Sequence, residues 1–124
     1  APAKDPGVDS MANDIGRLHA MYVPGSGSSE RRVYDGTLLV AESKGKSITV
    51  AVTPGEEFGS GVEFEVWSSI AVKGVAIGNT PVAKTTASKA GDCSGCWWTK
   101  SGTVHVRVPK GPQSALILFE KAVN

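Results

Sequence analysis

The segment Gly91–Gly111, GDCSGCWWTKSGTVHVRVPKG, restricts the fold more than any other part of the chain. Thr103 to Val108 alternates without a break: Val104, Val106 and Val108 share one parity, Thr103, His105 and Arg107 the other. Strand side chains alternate sides with period 2, so this run predicts a half-buried antiparallel strand. Lys100-Ser101-Gly102 reads as the turn before it, with Cys96 to Thr99 returning as the other arm of a hairpin. In that arm Trp97 and Trp98 must point to opposite faces. One is expected in the core, the other on the surface beside His105 or Arg107. A bulge over Cys93–Cys96 would exchange the two.

The rest of the chain repeats this pattern in shorter pieces. Ile15–Val23 reads as a strand with Leu18, Ala20 and Tyr22 on one face and Arg17, His19 and Met21 on the other. Arg31–Glu42 reads as a strand centred on Leu38-Leu39-Val40, with a tight turn at Asp35-Gly36. Ser47–Thr53 alternates with Ile48, Val50 and Val52 inward. Val62–Val72 is the longest run, with Val62, Phe64, Val66, Ile70 and Val72 on one parity and Glu63, Glu65, Trp67 and Ser69 on the other. Val75–Ile77 is a short strand, Pro81–Lys89 a polar edge strand guarded by Lys84 and Lys89, and Ser114–Lys121 a closing core strand. Pro24–Glu30 and Pro54–Gly61 read as loops, with Phe58 in the second as a core plug or an exposed contact.

Residues 1–14 read as an extended N-terminal arm, with one helical turn over Ser10–Asp14, and residues 15–124 as one domain. The 15 glycines and 7 prolines fit many short strands joined by turns. The expected fold is all-β: a single antiparallel β-sandwich, jelly-roll or Ig-like, of eight or nine short strands with turn signals every 8–12 residues.

With 13 basic and 12 acidic residues the formal net charge is +1, which leaves no electrostatic footprint for nucleic acid. The longest apolar runs are about five residues, such as Ala115–Phe119, far short of the ~20 that span a membrane. Ala1-Pro2-Ala3-Lys4 does not read as a signal peptide. A secreted, periplasmic or cell-surface setting is expected from the sandwich pattern together with a disulfide.

Cys93-Ser94-Gly95-Cys96 has the spacing of a thiol–disulfide exchange pair, a structural disulfide or half a zinc site. Exchange needs a helix N-terminus to activate the first thiol, and Trp97-Trp98-Thr99 is poor helix sequence. A structural disulfide is therefore expected. Zinc would need His19 and His105 as further ligands, copper Met11, His19 and Met21, and calcium loop acids such as Asp35, Glu56, Glu57 and Asp92. None of these forms a recognisable motif, so no metal and no cofactor is expected.

Glu63 and Glu65 share a strand face about 6.5–7 Å apart along the backbone, near the separation of glycosidase carboxylates. That pair normally flanks a cleft, whereas neighbours on one open strand face are solvated. No nucleophile elbow, phosphate loop, dinucleotide fingerprint or zincin motif occurs, so catalysis is not expected.

The aromatics carry the remaining reading. Trp67 shares a face with Glu63 and Glu65, and one of Trp97 and Trp98 shares a face with His105 and Arg107. Flat rings beside polar groups suit sugars. Covering ~100 Å² of ring contributes about 2.5 kcal/mol, less than the ~4 kcal/mol of millimolar binding, so more than one tryptophan or added donors such as Arg107 are required. The run Gly102–Pro109 resembles the closing strands of accessory sandwich domains in secreted glycan-active proteins; it spans eight residues and identifies no family. The expected function is a non-catalytic carbohydrate-binding module with a polysaccharide or glycan partner, with Trp67, Trp97 or Trp98 as platforms and Glu63, Glu65, His105 and Arg107 as polar partners. The alternative is a structural domain with a host-protein partner or self-association. A thiol-redox or metal protein using Cys93 and Cys96 is a distant third.

Overall fold

Alternating valine-rich runs fold as strands because each can bury one face and solvate the other. A computed structural model of the chain describes residues 7–14, 17–24, 27–32, 36–55, 61–86, 93 and 95–123. These form β1 (Gly7–Asp14), β2 (Arg17–Val23), β3 (Gly27–Arg32), β4 (Leu38–Lys44), β5 (Ser47–Thr53), β6 (Val62–Trp67), β7 (Val72–Ile77), β8 (Thr80–Pro81), β9 (Cys96–Lys100), β10 (Thr103–Val108) and β11 (Gln113–Phe119). The architecture is the expected all-β sandwich, with more strands than the eight or nine predicted. One sheet has the order β1-β2-β6-β10-β9, the other β3-β4-β5-β11-β7-β8. Neighbours are antiparallel except β2 and β6, which run parallel with His19 opposite Glu63 and Met21 opposite Glu65.

The core lies between the sheets. Leu18, Ala20 and Tyr22 of β2, Phe64 of β6 and Val106 of β10 face Ile48 and Val50 of β5 and Ile117 and Phe119 of β11, all buried. Each of the leucine, isoleucine, valine and phenylalanine side chains among them contributes about 1.5–3 kcal/mol on burial. Tyr22 also places its hydroxyl on Ser43 Oγ of the opposite sheet, which satisfies both polar atoms inside the core.

Several elements differ from the sequence reading, each for a physical reason. Gly7–Asp14, expected within an arm, is edge strand β1, paired with β2 from Gly7 opposite Val23 to Asp14 opposite Arg17. Its sequence lacks a run of large apolar residues, and β2 supplies the ladder. Most of the loop expected at Pro24–Glu30 is likewise the start of edge strand β3, paired with β4. Its described side chains are mostly exposed, as suits an edge. The long run Val62–Val72 is not one strand. It ends at Trp67, crosses over Ser68–Ala71 and resumes as β7 in the other sheet. Val72 still packs on the core, but an irregularity between Val72 and Gly74 reverses the parity, so β7 turns Val75 and Ile77 inward.

Of the polar edge strand expected at Pro81–Lys89, the described residues, to Thr86, form the end of β8 and one bridge between Lys84 and Trp97. Thr85 N donates to Trp97 O at 2.7 Å, and Lys84 Nζ lies 5.3 Å from the Trp97 ring centre. Lys84 thus stands at the edge of β9 away from β10, where Trp97 N also donates to Ala83 O. Phe58, Asp35, Glu56, Glu57, Lys89 and Asp92 lie outside the described residues.

Candidate functional site

The outer face of the five-stranded sheet collects almost every residue singled out by sequence. β10 is paired with β6 on one side and β9 on the other. The registers set His19, Glu63, Arg107 and Cys96 in one row across the sheet, and Met21, Glu65, His105 and Trp98 in the next.

Glu63 is the centre of this face. Arg107 Nε donates to its Oε1 at 2.9 Å, while His105 Nδ1 and His19 Nε2 lie 3.1 and 3.2 Å from Oε2. Only 3% of Glu63 is exposed, which corrects the expectation of a solvated carboxylate pair. Burial pushes its pKa up, but the hydrogen bonds from His105, His19 and Arg107, with the charge of His19, outweigh it. The carboxyl is held well below the usual 4.5. Both oxygens are occupied and screened from solvent, so Glu63 cannot reach a glycosidic bond as acid, base or nucleophile.

Second-layer contacts hold this centre rigid. His105 Nε2 is 3.0 Å from Thr103 Oγ1, and Thr103 Oγ1 donates to Lys100 O at 2.6 Å. The threonine proton is committed to the carbonyl, so its oxygen accepts from the imidazole. Arg107 Nη1 donates to Cys93 O at 3.3 Å, tying the network to the cysteine loop. Glu65 is engaged differently: its Oε2 accepts from Trp67 Nε1 at 2.8 Å.

Trp97 faces the core as one of the tandem pair was expected to, and is 6% exposed. Trp98 points to the opposite, outer face and lies beside His105, as predicted, but it is not open to solvent: 4% is exposed. Its ring stacks on His105 at 5.1 Å and 4°, and Arg107 lies 5.2 Å from the ring centre. Cys93 and Cys96, joined by a disulfide, pack with it. Trp98 is therefore a cover over the charged row. Neither Trp97 nor Trp98 offers an open ring as a sugar platform; Trp67, half-buried at the end of β6, is the partly open one.

Among the described residues no group of three or more His, Cys, Asp or Glu side chains has metal-holding geometry. The disulfide removes both thiols from any zinc set.

An open cleft lies at one end of the sandwich, between the crossing from β6 to β7 and the β9–β10 hairpin, with a volume of about 240 Å³. Sequence reasoning did not find it, because it forms where two distant connections meet. The Glu63 centre left a readable signal. Two acids on β6 and two bases on β10 share period 2, the signature of facing strands with opposite charge.

In sequence, no family model matches the chain, and no curated protein matches it. In structure it is similar to part of the cycloalternan-forming enzyme of Listeria monocytogenes, solved with a pentasaccharide substrate: TM-score 0.69, 17% identity, 83% of this chain and 10% of that one. It is also similar to part of the GH31 dextranase of Flavobacterium johnsoniae, solved with glucose: TM-score 0.65, 12% identity, 82% of this chain and 16% of that one. At these identities the likeness is one of fold. The chain spans a small fraction of either enzyme's length.

Proposed function

We propose that this chain is a non-catalytic, carbohydrate-binding accessory module of a secreted, periplasmic or cell-surface protein that acts on glycans. The observation that carries the reading is the recurrence of this sandwich as 10% and 16% of two enzymes named for glycan chemistry. A minor share of a large enzyme suits an appended domain. The clamped Glu63 supports a role without catalysis, and the Cys93–Cys96 disulfide suits an oxidising compartment. The test is affinity electrophoresis through gels holding dextran, starch or another soluble polysaccharide, with tryptophan emission followed in parallel. Retardation in one polysaccharide supports the module; no retardation and no spectral change with any of them removes carbohydrate binding.

A specific observation favours the second reading, a structural or protein-interaction domain. The outer face of the six-stranded sheet places Val40, Ala51, Leu116, Leu118 and Ala76 together by register, and Leu118 is 42% exposed. Patches of this kind mark contact surfaces. A mass by light scattering that rises with concentration supports self-association; a strict monomer leaves a different protein as the only partner for that face.

A further inference from the structure

We propose that the cleft at the end of the sandwich is the carbohydrate site, and that it takes one terminal hexose of an uncharged glycan. This rests on the carbohydrate-binding reading and moves it away from the tandem tryptophans. One wall of the cleft is Ser68–Val72, the other Thr99 and Ser101–Val104. No charged side chain lines it, although charged residues make up 20% of the chain. An anion or cation would find no counter-charge there. Ser69, Thr99 and Ser101 instead supply hydroxyls, each able to donate and accept, and Ser68, whose Oγ accepts from Ile70 N, keeps a proton to donate; the Thr103 hydroxyl is already spent on Lys100 O and His105. A neutral polyol needs that two-way hydrogen bonding. Ile70 and Val72 add an aliphatic wall for the C–H face of a sugar ring.

Size selects the occupant. At about 240 Å³ the cleft is smaller than the ~300–1,000 Å³ sites that enclose drug-sized ligands. It suits one ring, with the remaining glycan in solvent. One wall is preformed. Ser101 and Gly102 have φ of 43° and 84°, the positive values of a tight hairpin turn, and Thr103 Oγ1 closes that turn on Lys100 O. Trp67 precedes Ser68 directly, but its indole is bonded to Glu65 and does not line the cleft.

The test uses the full chain and three probes: glucose, isomaltotriose and, as a charged control, glucuronate. Backbone amide shifts are recorded by two-dimensional NMR during titration. Expected are saturable shifts with the neutral sugars, clustered on 68–72 and 99–104, and at least tenfold weaker binding of glucuronate. Ala71→Arg and Thr99→Arg, both at exposed lining positions, should weaken isomaltotriose binding at least tenfold. Thr53→Arg, on an exposed residue outside the cleft, should leave it unchanged. Shifts clustered elsewhere, or affinity unmoved by both lining variants, overturn the cleft assignment while the module reading stands. No binding of these sugars overturns the assignment, and retardation in polysaccharide gels then decides whether the module reading falls with it.

Discussion

Replacing Glu63 with glutamine keeps the shape of the side chain and removes its charge. The carboxylate accepts from Arg107 at 2.9 Å and meets His105 and His19 at 3.1 and 3.2 Å, with 3% of the residue exposed. In Glu63→Gln the Arg107 guanidinium faces a neutral amide with one acceptor oxygen in place of two charged ones. Breaking a buried ion pair from one side costs roughly 3–5 kcal/mol. For a chain of 124 residues that lowers Tm by about 10–25 °C. The pH dependence carries a second signature. The carboxyl is held below 4.5 in the folded protein, so it binds its proton more weakly there than in the unfolded chain. Its stabilisation is present in full above about pH 4.5 and is lost as pH falls towards the folded pKa, by at most ~1.4 kcal/mol per pH unit for one proton. Urea unfolding of both proteins from pH 5 to pH 3 should show a stability gap that narrows as the pH falls. A gap under ~0.5 kcal/mol at pH 5, the level of an ordinary surface substitution, would refute the argument. So would a gap that widens in acid.

Three further outcomes are expected. Replacing Cys93 and Cys96 with serine should cost about 2 kcal/mol, the loop-closure value for a four-residue ring, and should red-shift the emission of Trp98, which packs on the disulfide; urea unfolding and fluorescence check both. Gly61→Ala should lose at least about 2 kcal/mol in the same unfolding assay, because φ there is +95° and a Cβ would meet Val108 O at 2.1 Å. Trp97→Ala should lose roughly 3–5 kcal/mol as a core truncation, whereas Trp67→Ala should lose less than about 1.5 kcal/mol; equal losses would mean that the two rings are equally embedded.

What could be read from the sequence was whatever depends on one strand at a time. Period 2 assigned Leu18, Ala20 and Tyr22 to the core, as it did Ile48, Val50 and Val52, and all six are buried. It also separated Trp97 from Trp98 correctly, because neighbours on a strand cannot share a face. Period 2 does not say what lies above a face. One ring of the tandem pair was expected on the surface beside His105 or Arg107; Trp98 is that ring, yet it is covered, because coverage comes from the cysteine loop and from Arg107 on the next row. The same limit explains Glu63. Its burial needs His19 of β2, brought alongside β6 by a parallel pairing across more than forty residues of chain, and nothing local marks that pairing. The cleft lies further still from local pattern, since each wall is an ordinary connection and only their meeting makes a site. Polar side chains on a strand face are therefore evidence of a surface only after the neighbouring strands are known. Here they bind one another first, with Glu63 held by Arg107, His105 and His19.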